Sequence, residues 1–200
     1  MMKNLFMRSF KGLSVLLSFF FRLMCPFFKI AKRLLLLAKT QSKVGFSVSV
    51  SSQFDGELQI IGTANVTWGE HCRFGKDVVL ETQGDGAIEL GNNVRINQGT
   101  VIVAHSRVSI ANDCLIGEYC SIRDANHEVK AGELIRKQGH STSAIKIEND
   151  CWLGRGAVVL KGVTLHQGCV IGANSVVTKT ISGNVIAVGA PAKELRKRKI

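Results

Sequence analysis

Residues 124–144, DANHEVKAGELIRKQGHSTSA, hold the side chains best suited to moving a proton near neutral pH. Two of the five histidines, His127 and His140, lie here. Imidazole is the ordinary side chain whose pKa suits a general base at that pH. His127 follows Asp124 by three positions, so a carboxylate is at hand to orient the ring through its second nitrogen. His127 is the expected base and His140 the lesser candidate. His71, His105 and His166 fall at turns and are expected to be solvated.

The stretch itself has no apolar periodicity, and a loop of this length is usually disordered or functional. What flanks it is strictly periodic. From residue 147 to 178, Ile147, Leu153, Val159, Leu165, Ile171 and Val177 recur every six residues, and Cys151, Ala157, Val163, Cys169 and Ser175 follow four places after the first five of them. Neither a helix nor a simple strand repeats in sixes. A short strand and a turn wound around a coil does, with one branched aliphatic per segment facing a shared core. The same register runs less tidily before the loop: Trp68, Phe74 and Leu80, then Leu90, Ile96 and Ile102, then Ile110, Ile116 and Ile122, with a slip at 83–87 and two extra residues near His105. Ile60, Val66 and the pair Ile61-Gly62 compete for its start.

Composition narrows the function classes. The net charge is +11, yet residues 1–54 contain nine Lys or Arg and no acid, and residues 193–200 contain five basic groups against Glu194. The body between is nearly neutral, and one Tyr and two Trp offer little for base stacking, which argues against nucleic acid. Cys72, Cys114, Cys120, Cys151 and Cys169 occupy the small inward slot of the repeat, without C-x-x-C spacing. They are expected to be buried hydrophobes in a reducing compartment, and no metal site is expected.

Residues 1–45 form a separate segment. At 100° per residue Arg8, Lys11, Arg22, Lys29 and Arg33 share one narrow stripe, opposite Leu5, Leu13, Leu16, Phe20, Leu23, Phe27 and Leu34. The expectation is an amphipathic helix, or two broken at Pro26. The longest uncharged run, 12–21, is too short to span a bilayer. The helix is instead expected to lie on an anionic membrane surface, with packing on the solenoid or a neighbouring subunit as the alternative.

The motifs SIRDANH at 121–127, DCWLGRGAVVLKGVTL at 150–165, IGANSVVTK at 171–179 and VGAPAK at 188–193 resemble the hexapeptide-repeat acyltransferases, over roughly 68–196. The likeness is strongest to the sugar O-acetyltransferases related to galactoside and maltose acetyltransferase. It implies an all-β fold, a left-handed parallel β-helix over 46–190, with the N-terminal helical segment and a short C-terminal helix or basic tail at 191–200. It also implies a homotrimer with sites between neighbouring coils, and acetyl-CoA as donor. His127 matches the family's base. Trp152, Gly154, Arg155 and Ala173 match the segment along the pantetheine arm, with a Gly154 or Arg155 amide able to face an oxyanion. Thr178, Lys179 and Arg196, with Lys193, match the nucleotide end. Asn97 matches an acceptor-binding Asn. Arg155 stands where the family usually has a small residue, and Ala125 where related enzymes often have a first His. The resulting expectation is a cytoplasmic O-acetyltransferase for a sugar hydroxyl of a surface glycan or its precursor, peripheral on the inner face of the plasma membrane. An amine acceptor or a non-catalytic scaffold are the alternatives.

Overall fold

The structure, a computed structural model, describes residues 2–199; side chains are described from Ser14 onward, except Leu16, Phe19, Phe21 and Leu23. The chain divides into two compact units, Met1–Leu36 and Leu37–Ile200. The first belongs to a single helix, α1, Met2–Gln41. It runs unbroken through Pro26, so the two-helix alternative does not hold. A proline costs about 3 kcal/mol in a helix interior, and the many remaining turns of a 40-residue helix absorb one missing donor. Of the basic stripe, Arg8 and Lys11 lie outside the described side chains, as do Leu5, Leu13, Leu16 and Leu23 on the apolar side.

The second unit is a three-sided solenoid of seven turns. Its first face carries Gln53–Phe54, Arg73–Phe74, Arg95–Ile96, Leu115–Ile116, Trp152–Leu153, Val170–Ile171 and Val185–Gly189. The second runs from Gln59–Gly62 to Val176–Val177, and the third from Val66–Trp68 to Thr164–Leu165. Successive turns pair in parallel on each face, for example Trp152↔Val170 and Ile147↔Leu165. Those partners are three sixes apart, which is why the sequence repeats in sixes: each hexapeptide makes one strand and one corner.

The inward positions read from the sequence are the core. Ile110, Ile116, Ile122, Ile147, Leu153, Val159, Leu165, Ile171 and Val177 are buried, as are the small residues four places on, Cys114, Cys120, Cys151, Ala157, Val163, Cys169 and Ser175. The untidy start also resolves. Ile60 pairs with Leu80 in the inward column, Val66 is buried, and Ile61 turns outward. At the N-terminal end, Trp68 packs edge-on against Phe46 and Phe74, and Phe54 stacks on Phe74. These rings cover the aliphatic column where no preceding turn exists to do so.

At the other end the expected C-terminal helix is absent: Ala192–Lys197 is a strand, antiparallel to Val185–Gly189. The physical reason is the open edge of the last turn, whose unpaired amides and carbonyls need a partner. Gly189, at φ 102°, makes the reversal that returns the chain along that edge. Arg198 then ties the tail back to Asp150 at 2.8 Å and to the Gly168 carbonyl at 2.9 Å.

The five cysteines of the solenoid are free and buried, whereas Cys25 is exposed. Burial pushes the Cys72 and Cys120 thiols up. Cys114 and Cys169 are raised by hydrogen bonding to Cys151 and then by burial. Hydrogen bonds from Cys114 and then Cys169 lower Cys151, but it is as buried as its neighbours, and a thiol must be reached to react; a native titration with an aromatic disulfide reagent is therefore expected to modify the exposed Cys25 alone, and all six thiols after denaturation. Rapid native reaction of a second thiol would contradict this packing.

On the corner between the third and first faces, Glu148 accepts from Lys146 Nζ at 2.9 Å and from the Gln167 amide at 3.1 Å, and faces His166 Nδ1 at 3.2 Å. The Lys146 hydrogen bond, then the Gln167 amide and His166, lower its pKa from 4.5 to about 2. A carboxylate depressed in the folded state stabilises above its ordinary pKa and loses that contribution as pH falls through the folded value. The melting temperature is therefore expected to fall between pH 4.5 and about 2, and less steeply for Glu148→Gln. Parallel curves for the two proteins would refute the assignment.

Candidate active site

The segment that breaks the six-residue register leaves the coil at the corner between the second and third faces. It is folded: Ala125–His127 and His140–Thr142 form an antiparallel hairpin, with a 3-10 turn at Ile135–Lys137. The pairing puts His127 directly opposite His140. Their rings lie 4.2 Å apart, and His105, half-buried at the corner one turn earlier, lies 4.8 Å from His140. The three imidazoles line a cavity of about 450 Å³ with Val103, Arg123, Ala125, Asn126 and Val129. The arm is fixed at its base. The Ser143 amide donates to the Asp124 carbonyl at 2.9 Å, and Lys161 Nζ donates to Ser141 Oγ at 2.7 Å from the next turn.

His127 and His140 are both exposed, so either ring can meet a substrate hydroxyl. Partial withdrawal from water, and then the like charge of His127 and His105, lower the pKa of His140. His140 therefore stays neutral to lower pH than an isolated imidazole would. His105 thus belongs to this cluster rather than to a solvated turn. The sequence signal for it was present in the two extra residues that disturb the register there.

Asp124 is fully buried, and its use differs from the expected one. One carboxylate oxygen accepts from the His105 amide and the other from the Ser106 amide, each at 2.8 Å. It holds the turn that carries His105 and the root of the arm that carries His127, and acts as a positioning residue. Its oxygens point to backbone, so orientation of the His127 ring through Asp124 is not what this geometry provides.

Asn97 sits elsewhere, at the corner between the first and second faces. The register places Gly75, Asn97, Gly117, Gly154 and Gly172 in one column over five successive turns. The neighbouring turn passes so close that a Cβ on Gly154 would lie 2.7 Å from the Ala173 amide nitrogen, and one on Gly117 equally near that of Arg155. A side chain at Asn97 is the exception in that column. It lines a cavity of about 520 Å³ with Asp55, Gly75, Lys76, Gln98 and Glu118. Arg155 and Ala173 continue this corner upward. The Arg155 guanidinium rests over the Tyr119 ring, 5.5 Å from its centroid, and Gln98 Nε2 donates to the Tyr119 hydroxyl at 3.2 Å. Tyr119 has φ 56° at a slot filled by Gly99, Gly156 and Asn174 in neighbouring turns. A left-handed tyrosine costs about 1–2 kcal/mol, so this ring was legible as an outlier in the repeat.

The Gly154 amide is committed to the Ile171 carbonyl at 2.7 Å, which removes it as an oxyanion donor. Trp152 is 53% exposed on the first face, beside Leu115 at 47%. Thr178 and Lys179 return to the corner of the hairpin arm, two turns beyond Arg123 and Asp124, or about 10 Å along the coil. Lys193 and Arg196 lie in the closing strand, paired with Val188 and Ile186. One chain therefore gathers eight of the expected residues into two groups, with Trp152, Lys193 and Arg196 outside both. His127, Asp124, Thr178 and Lys179 share one corner; Asn97, Gly154, Arg155 and Ala173 share another. Among the described residues, no group of three or more His, Cys, Asp or Glu is arranged to hold a metal ion.

Comparison with known proteins agrees with this architecture. The bacterial transferase hexapeptide (six repeats) family matches residues 144–179, and the hexapeptide repeat of succinyl-transferase matches 66–104. A provisionally named acetyltransferase of Mycobacterium tuberculosis is 34% identical over 117 residues, 58% of this chain but only 39% of that protein's length. The Escherichia coli K12 protein WbbJ, provisionally named a lipopolysaccharide biosynthesis O-acetyl transferase, is 32% identical over 141 residues, 66% of this chain and 72% of its own. Among solved structures, a hexapeptide-repeat acetyltransferase of Vibrio cholerae complexed with acetyl-CoA superposes with a TM-score of 0.54 at 25% identity, over 75% of this chain and 72% of that one. With its parallel solenoid of sixes, its hairpin arm interrupting the coil and these relatives, the chain belongs to the hexapeptide-repeat acetyltransferase family.

Proposed function

We propose that this protein transfers an acetyl group from acetyl-CoA to a sugar hydroxyl, of a cell-surface glycan or its precursor, with His127 as general base. The observation that carries the reading is the exposed imidazole pair His127–His140, held on a rooted hairpin beside the solenoid wall. The O-acetyl transferase name of the Escherichia coli relative and the acetyl-CoA in the Vibrio structure support donor and reaction type. The donor supplies an activated thioester carbonyl. His127 accepts the hydroxyl proton as the oxygen adds to the carbonyl carbon. The tetrahedral adduct collapses with cleavage of the C–S bond, and the imidazolium returns the proton to the leaving sulfur. The products are an ester and free coenzyme A, with His127 restored.

The exposed cations Arg155, Lys179, Lys193 and Arg196 fit a donor bearing phosphates, which take charge-assisted hydrogen bonds well. Asn97, with Gln98 and Glu118, offers the amides and carboxylate that polyol recognition uses. Because these groups occupy different corners of one chain, the reading includes a homotrimer in which the His127 corner of one subunit meets the Asn97–Arg155 corner of the next. Trp152 and Leu115 supply apolar contact on the first face, beside the Asn97–Arg155 corner. It also takes the coil to wind to the left.

The test is thiol release from acetyl-CoA with a panel of sugars and amino sugars, followed by alkaline hydroxylamine. Acetyl product cleaved by hydroxylamine is an ester, as expected; a resistant product is an amide and replaces the hydroxyl acceptor with an amine. Sedimentation equilibrium at the mass of a single chain would remove the shared site.

A further inference from the structure

We propose that α1 is a surface anchor lying in the headgroup region of an anionic bilayer. The proposal is independent of the acetyl-transfer reading. It rests on how the exposed apolar and cationic side chains are distributed around one helix.

Leu17, Phe27, Phe28, Ile30, Leu34 and Leu35 are between 47% and 63% exposed. At 100° per residue they fall within an arc of about 160°, which also holds Met24 and Ala31. Arg22, Lys29, Lys32, Arg33 and Lys39 occupy about 120° on the other side, with Ser14 and Ser18 among them. Val15, 66% exposed, the exposed Cys25 and the buried Leu36 also fall on that side. Water is a poor environment for so continuous a face of Phe, Leu and Ile, and an exposed patch of that kind marks an interaction surface.

Charge selects the occupant. Residues 1–54 contain no Asp or Glu, and Lys39 and Lys43 reach Glu57 of the following segment. A protein partner able to cover the apolar face would leave this basic arc unaddressed, whereas an anionic leaflet satisfies both arcs at once. No described helix is long and apolar enough to cross a membrane. At 1.5 Å per residue a 40-residue helix is about 60 Å long, twice a hydrocarbon core, with cations along its described length. Lying in the plane is the orientation that leaves those charges in water and headgroups while the apolar arc reaches the acyl boundary. Lysine and arginine stems extend that reach by keeping their charged ends at the surface.

The experiment uses the full chain and sedimentation with vesicles of phosphatidylcholine alone or mixed with phosphatidylglycerol. Binding to the mixed vesicles is expected to be tighter by about tenfold or more and to weaken as salt is raised. Arg22→Glu with Lys29→Glu and Lys32→Glu should erase the preference for anionic vesicles. Phe27→Ser with Phe28→Ser and Leu34→Ser should abolish binding to both. A thermal melt of the solenoid, unchanged in each variant, keeps the comparison interpretable. Equal binding to both vesicle types, or none to either, overturns the proposal. Helix-dependent self-association in sedimentation velocity, without vesicle binding, overturns it in favour of a second copy. Vesicle binding is read without turnover, so a failure here is distinguishable from a failure of the proposed chemistry.

Discussion

His127→Ala is expected to lower the turnover number for thiol release by about 10²- to 10⁴-fold while leaving the KM for acetyl-CoA within a few-fold, the range typical of losing a positioned general base. The effect is confined to the chemical step because the ring is proposed to take the hydroxyl proton, whereas the donor's phosphates are proposed to be held by Arg155, Lys179, Lys193 and Arg196. His140→Ala is the necessary comparison. His140 faces the same cavity, 4.2 Å from His127, and is the one other ring directly across the hairpin. If His127 is the base, His140→Ala retains most of the rate. If the losses are reversed, the base is His140. Equal rates for wild type and both variants would remove the cluster from the chemistry.

Asp124→Ala is expected to destabilise the solenoid by about 2–5 kcal/mol, because it strips the part-buried His105 and Ser106 amides of their acceptor and leaves a void where a buried carboxylate stood. For a chain of this size that is a fall of about 4–20 °C in melting temperature, at about 2–4 °C per kcal/mol. The two amides, His105 and Ser106, lie at 2.8 Å from separate oxygens of one buried carboxylate. Asp124→Asn keeps one acceptor but turns an NH₂ toward the other donor, so it should lie between wild type and Ala. Activity should fall with the folded arm, and recover at low temperature where the arm is populated. A variant that melts like wild type but has lost turnover at every temperature would return this carboxylate to the reacting atoms.

These two residues show where a linear reading succeeds and where it stops. The solenoid was legible because each turn is built from three copies of one local rule. Burial of Ile147, Leu153, Val159 and their successors follows from spacing alone, since a strand-and-corner unit of six returns an aliphatic to the interior every time. The cysteines were legible for the same reason: the slot four places later is small and dry. His127 stood out because the rule fails around it.

What spacing does not encode is which side chains meet when the break folds. His127 and His140 are thirteen positions apart and become neighbours through a hairpin whose register is set by paired backbone, not by a motif. His105 joins them because parallel turns stack about 4.8 Å apart, a distance with no signature along the chain. The adjacency of Asp124 to His127 in sequence suggested a side-chain partnership, yet the inward turn at Asp124 delivers its carboxylate to the amides of the preceding coil. The C-terminal segment is the same lesson at the level of an element. Basic, Ala- and Leu-containing residues 192–197 suit a helix by propensity, but an open sheet edge offered them a ladder of unpaired hydrogen-bonding groups.

The amino-acid order by itself determined the period, the core, the amphipathic charge separation of α1 and the place where regularity ends. Tertiary structure decided the contents of the site: an imidazole cluster drawn from three separate segments, a buried aspartate holding it up, and two corners of one prism that a single chain keeps apart. The division has one physical cause. Periodic burial is a local, additive preference repeated at every turn, whereas the site arises from contacts between turns, which exist only after the coil has closed on itself.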